Sequence, residues 1–265
     1  MGMPVIVQVC DPGFDEAALD RVFAWLRFVD ETFSTYRQDS DISRLNRGEL
    51  TLVDAHVSVQ SVLSRCESLR VSTRGYFDVS APMASLGGGV DPSGFVKGYA
   101  VEGAGRLLKS AGAKCWCVNA GGDICLSGAP QGCECWRVGI QHPCERLAVA
   151  VVLGLRAGAV ATSGTYERGE HIRDPHTGLA PEGVLSVTIV GPELAVADAY
   201  ATAAFAMGRA GAKWAATLPR HGAIVIFDDE TISFSAGVER HLHRAGVPSF
   251  AGQRRRHADI TGARG

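Results

Sequence analysis

CWCVNAGGDICLSG (115–128), CWRVGIQHP (135–143), RLAVAVVLGL (146–155) and AGAVATSG (157–164) are short apolar runs, each broken or ended by glycine. Such runs read as strands, and residues 114 to 161 as a whole predict an antiparallel meander. Upstream the texture is helical. Leu19, Val22, Phe23, Leu26, Val29 and Phe33 recur at helical spacing between Asp15 and Phe33, which predicts an amphipathic helix. A second helix carries Val59, Val62, Leu63, Cys66 and Leu69. A third starts just after Gly94, runs through Val96, Ala100, Ala104, Leu107 and Leu108, and stops near Gly112, a position suited to a left-handed cap. Downstream come the strand VLSVTIVG, the Ala-rich helical stretch LAVADAYATAAFAMG, the strand HGAIVIFDD and its short partner TISFSAG. Helices and strands are segregated, so the fold class is α+β, with mainly antiparallel or mixed sheets flanked by helices. No composition shift marks a boundary, and residues 1–250 read as one domain. The polar, Arg-rich segment 251–265 reads as a disordered tail.

The formal net charge of -2 gives no basic field for a nucleic-acid backbone. No apolar run approaches the ~20 residues of a membrane span, and the opening residues lack the parts of a secretory signal. The expected compartment is the cytoplasm. Of the eight cysteines, only Cys115 and Cys117, and Cys133 and Cys135, are close in sequence. Neither pair has zinc-knuckle spacing, so buried, reduced thiols are expected.

Three polar segments interrupt the apolar patterning. Asp91-Pro92-Ser93-Gly94-Phe95-Val96-Lys97-Gly98 is a turn entering a helix. A helix N-terminus with a lysine in its first turn suits a phosphate; an Asp-capped helix with a solvated lysine accounts for the same residues. Thr162 to Arg168, followed by His171 to Gly178, is dense in His, Arg and hydroxyls, and His171 could exchange a proton near neutral pH; a plain loop fits equally. Asp198 and Thr202 are one helical turn apart and can face one hard cation, completed by water and phosphate. Capping or surface exposure is the alternative.

Seven ordered blocks, FSTYRQDSDISRLN (33–46), GYFDVS (75–80), DPSGFVKGYAVE (91–102), VNAGGDI (118–124), VATSGTYERG (160–169), HIRDPHTG (171–178) and ADAYATAAFAMG (197–208), resemble the ApbE-type FAD:protein FMN transferases. The resemblance implies that Met1, Tyr36, Asp91 and Lys97 contact FAD, and that Val187 falls near the FAD site. It also implies that the Gly94 carbonyl, Asp198 and Thr202 hold Mg²⁺, and that His171 and Lys97 are catalytic. The implied acceptor is another protein with a segment like Asp-x-x-Ser/Thr-Gly-Ala-Ser/Thr. FAD hydrolysis to FMN and AMP, and flavin binding without turnover, are the alternatives. The chain departs from the family between Ser80 and Asp91, where APMASLGGGV replaces a longer insertion. Pro92-Ser93 stands for Leu-Gly, Val96 for Ala and Thr165 for Asp.

Overall fold

The computed structural model describes residues 3–80, 88–145, 147–164, 172–243 and 256–257. The chain opens with strand β1 (Val5–Val9), then helices α1 (Ala17–Phe33), α2 (Asp41–Asn46), α3 (Val57–Ser72) and α4 (Ser93–Ser110). Strands β2 (Trp116–Ala120), β3 (Asp123–Ser127), β4 (Trp136–Gln141), β5 (Val149–Leu155), β6 (Ala157–Gly164) and β7 (Val184–Gly191) follow. The remainder is α5 (Leu194–Ala206), α6 (Gly211–Ala215), β8 (Gly222–Phe227), β9 (Ile232–Phe234), α7 (Ala236–Glu239) and β10 (Arg256–His257).

Eight strands form one sheet in the order β1-β2-β3-β6-β7-β8-β9-β10. Every pairing is antiparallel except β9 with β10. The α+β expectation therefore holds. The single meander does not: β4 and β5 leave the sheet and pair with each other, with one further bridge from Leu153 of β5 to Leu242. They lie across its second face. Leu126, Val160, Val190, Ile224 and Ile226 of the large sheet pack there against Val138, Ile140, Val151, Leu153 and Leu155 of the hairpin. Within the segment read as a disordered tail, Arg256–His257 pair with Ser233–Phe234; the rest of 251–265 lies outside the described residues.

On the first face the helices form a layer. The stripe of α1 buries Val22, Leu26, Val29 and Phe33, while Phe23, off that stripe, is exposed. Helix α4 starts one residue before Gly94, at Ser93, and ends at Ser110, two residues before Gly112, whose φ of 90° confirms the left-handed position. Helix α5 is buried nearly all round because α4 covers it on one side and β6 and β7 on the other. Alanines make that double contact possible, and Gly98 completes it: a Cβ there would overlap the Ala195 backbone. The cysteines are more mixed than expected. Cys66 and Cys115 are buried, Cys133 and Cys144 exposed, and the other four half-buried. Burial pushes the Cys66 and Cys125 thiols up to about 12 and those of Cys115 and Cys117 up to about 11, so they stay protonated near neutral pH.

Candidate active site

The site begins at the turn between β2 and β3. Gly121 and Gly122 both have positive φ, 56° and 94°, the pair of conformations a two-residue hairpin loop demands. The Asn119 side chain accepts a hydrogen bond from the Gly122 N–H (3.0 Å). This turn sets Asp123 at the first position of β3, where its side chain is fully buried beneath the helix layer.

Lys97, in the first turns of α4, reaches Asp123 Oδ2 at 2.5 Å. Its Nζ also lies 3.9 Å from Asp198 Oδ2 on α5. Asp123 Oδ1 accepts the Thr162 N–H of β6 (3.1 Å). Burial pushes the Asp123 carboxyl up, against the pull of the Lys97 ammonium and the Thr162 N–H toward the ionised form. One helical turn beyond Asp198, Thr202 Oγ1 lies 3.3 Å from Ser163 Oγ, also on β6. Two strands and two helices thus converge on one polar cluster.

Of the residues singled out from the sequence, Lys97, Asp198 and Thr202 come together here. Lys97 is not a solvated lysine, and Asp198, 4% exposed, is not a surface carboxylate. Gly94 lies in the first turn of α4, three residues before Lys97. The side-chain donors on α5 are oxygens, the Asp198 carboxylate and the Thr202 hydroxyl, and the family resemblance adds the Gly94 carbonyl. That set fits a hard cation such as magnesium. Among the described residues no group of three or more His, Cys, Asp or Glu could hold a metal, so a cation here would depend on water and ligand oxygens as well.

Asp91 stands at the entrance to α4. Its Oδ1 accepts the Ser93 N–H (3.0 Å), and its own N–H donates to the Val79 carbonyl (2.7 Å). The preceding Val90 is clamped by both ends of the Asn46 amide, at 2.8 and 2.9 Å. A cavity of about 310 Å³, lined by Arg70, Asp78, Val79, Ser80 and Val90 among others, opens beside it. Tyr36 is 93% exposed, on a turn tied by hydrogen bonds to Ser34 Oγ from the N–H groups of Tyr36 and Arg37. Val187 is fully buried, paired across the strands with Ser163. Met1 and His171 lie outside the described residues. Farther along the same loop, Asp174 closes a compact turn by accepting the Gly178 N–H at its carbonyl (2.7 Å), and His176 meets the Tyr76 ring edge-on.

Asp123, Ser163 and Asn46 were not among the residues singled out. Asp123 had a signal: a lone carboxylate in the apolar run VNAGGDICLS is costly to bury without a partner. Ser163 lay within the hydroxyl-dense segment Thr162 to Arg168, whereas Asn46 had no signal of its own.

The model of the ApbE family matches residues 1–88 and 83–226. An FAD:protein FMN transferase of Rhodobacter capsulatus is 32% identical over 199 residues, 72% of this chain and 34% of the relative. That of Treponema pallidum is 32% identical over 205 residues, 68% of this chain and 56% of the relative. The chain therefore spans only part of the length of these relatives. Among solved structures, the flavin transferase ApbE of Vibrio cholerae aligns with a TM-score of 0.80 at 24% identity, covering 91% of this chain and 96% of that one. The ApbE protein of Thermotoga maritima gives 0.81 at 23% identity over the same shares. These similarities carry the fold, and the family model spans most of the sequence: the chain belongs to the ApbE family.

Proposed function

We propose that this chain transfers FMN from FAD to a Ser or Thr hydroxyl of an acceptor protein, releasing AMP, with magnesium as cofactor and the cytoplasm as its compartment. The observation that carries the reading is the convergence of Lys97, from the start of α4, with Asp198 and Thr202 of α5 in one buried polar cluster. The names of its relatives, FAD:protein FMN transferases, supply the reaction.

FAD is a pyrophosphate. The acceptor oxygen forms a new bond to the phosphorus of the FMN half, the P–O bond to the AMP half breaks, and AMP departs with the bridging oxygen. Such chemistry depends on positioning and charge stabilisation more than on covalent help from the protein. The start of α4 presents backbone N–H groups, the positive end of the helix dipole and the Lys97 charge to phosphate oxygens. Asp198, Thr202 and the Gly94 carbonyl would hold magnesium. Bound there, the ion supplies charge neutralisation to the pyrophosphate oxygens. His171, which follows β6 in the chain, takes the proton of the incoming hydroxyl as general base. Asp91, fixed by the Val79 carbonyl and the Ser93 N–H, orients the cofactor without entering the bond changes. Tyr36 offers an exposed ring to stack on the flavin.

The test is to incubate the purified chain with FAD and Mg²⁺, with and without a protein bearing an Asp-x-x-Ser/Thr-Gly-Ala-Ser/Thr segment, and to look for flavin fluorescence on the acceptor in a denaturing gel. A fluorescent acceptor, lost with EDTA and reduced about 100-fold or more in Asp198→Ala and in His171→Ala, is the expected result. FMN and AMP released without labelled acceptor would make the chain a hydrolase. No turnover at all would leave a flavin carrier. Full activity in either variant would remove that residue from the mechanism.

A further inference from the structure

Asp123 is the charged residue of the cluster, among those described, that neither the family resemblance nor the proposed reaction assigns. We infer that it is a positioning residue: its carboxylate pins the Lys97 ammonium, through the 2.5 Å contact to Oδ2, in the place from which Lys97 meets the phosphates of FAD. The inference rests on the transferase reading above.

Three observations support it. First, Asp123 is fully buried at the head of β3 while Lys97 keeps 17% of its side chain exposed, so the carboxylate is the inner member of the pair and the lysine the one that reaches solvent. Second, Asp198 approaches the same Nζ only at 3.9 Å. A carboxylate that also holds a cation is the weaker anchor for a lysine, because two positive charges then share one negative charge. Asp123 relieves that competition. Third, the other bond of Asp123, from the Thr162 N–H to Oδ1 at 3.1 Å, fixes the carboxylate to the β6 backbone. The anchor is thus rigid, on strands rather than a loop.

A purely structural role would need only the Thr162 hydrogen bond. Asparagine could make that bond through its own Oδ1, with nearly the same shape and no charge. Asp123→Asn therefore separates the two roles. If Asp123 acts through Lys97, Asp123→Asn lowers kcat at least tenfold, and Lys97→Ala/Asp123→Asn is no slower than Lys97→Ala alone. If Asp123 serves folding, the two effects multiply, and that result overturns the inference. So does an Asp123→Asn variant with wild-type kcat.

A readout independent of turnover keeps this inference apart from the transferase reading. The amine of Lys97 is acetylated with a limiting amount of acetic anhydride and quantified by mass spectrometry against exposed Lys109 in the same chain. Release of Lys97 from its anchor should raise its labelling relative to Lys109 several-fold in Asp123→Asn. Unchanged labelling overturns the proposal, whether or not the wild-type protein transfers flavin. Should Asp123→Asn fail to fold, Asp123→Ser takes its place in the same labelling comparison: raised labelling of Lys97 relative to Lys109 supports the anchor, and unchanged labelling refutes it.

Discussion

The two faces of the eight-stranded sheet bury polar groups in opposite ways. Toward the β4–β5 hairpin the core is almost wholly aliphatic, and Thr162 and Thr188 satisfy each other there through a 2.8 Å hydroxyl contact between neighbouring strands. Toward the helices, Asp123, Ser163 and Asp198 are buried as well, and each is met by a residue from another element. An adjacent neutral pair stabilises a core without further demands. Buried carboxylates carry a desolvation cost of several kcal/mol per ion and persist only where partners are held in place. The first face is built for cohesion and the second to hold charge in a fixed arrangement. Adjacent residues of one strand divide accordingly: Thr162 turns its hydroxyl to the hairpin side and Ser163 turns its own to Thr202 of α5.

Mutations on the two faces should therefore separate stability from chemistry. The largest stability effect is expected from Leu153→Ala, at a fully buried position in the hairpin-side core. Loss of the side chain and the cavity left behind should cost about 2–5 kcal/mol. Urea unfolding should report that loss, while the transfer rate per folded molecule stays near wild type. A comparable loss of rate would mean that the two faces are coupled. Gly98→Ala should do the reverse. The added methyl meets the Ala195 backbone and must part α4 from α5, an overpacking cost of about 1–3 kcal/mol. Because Lys97 and Asp198 ride on those two helices, a shift near 1 Å should lower the transfer rate by up to about 100-fold. Equal rates for Gly98→Ala and wild type would show that the spacing of the helices does not set the site.

The same contrast explains what could be read from the sequence. Asp198 stood out because Thr202 lies one turn away on the same helix, so the pair is visible within five residues. Asp123 is an equally isolated carboxylate, but its partner sits on α4 and its second bond on β6. Neither relation has a local spacing. The strands β4 and β5 failed in the same way. Their apolar pattern marks them as strands, but membership of the large sheet depends on non-local pairing, and β3 pairs with β6 instead. The helix layer was legible because α1, α3 and α4 each carry their core stripe within the element, and α5 announces its double burial by alanine content. Val187 reads as one more apolar residue of a strand; only the register opposite Ser163 connects it with the site.

The smallest effect concerns Glu102, at the border between the charged cluster and the apolar packing. Its Oε1 accepts the Ala195 N–H at the start of α5 (3.1 Å). Burial pushes the Glu102 carboxyl above its ordinary value of 4.5, with Glu193 nearby adding to the rise, while the bond from Ala195 and the Arg106 guanidinium oppose it. A carboxyl raised in the fold is held more tightly in its protonated form than in the unfolded chain. Its contribution to stability is therefore complete below about pH 4.5 and declines as pH rises through the folded value. Glutamine keeps the acceptor and does not titrate. The stability of Glu102→Gln relative to wild type should hence be level below that pH and drift in favour of glutamine above it, by no more than about 1 kcal/mol, the scale of a charge at a helix end. Thermal melts of both proteins across pH 4 to 8 measure the drift. A drift of opposite sign would mean that the positive start of α5 outweighs the cost of burial, and that this carboxylate belongs with the charged cluster instead of the packing that surrounds it.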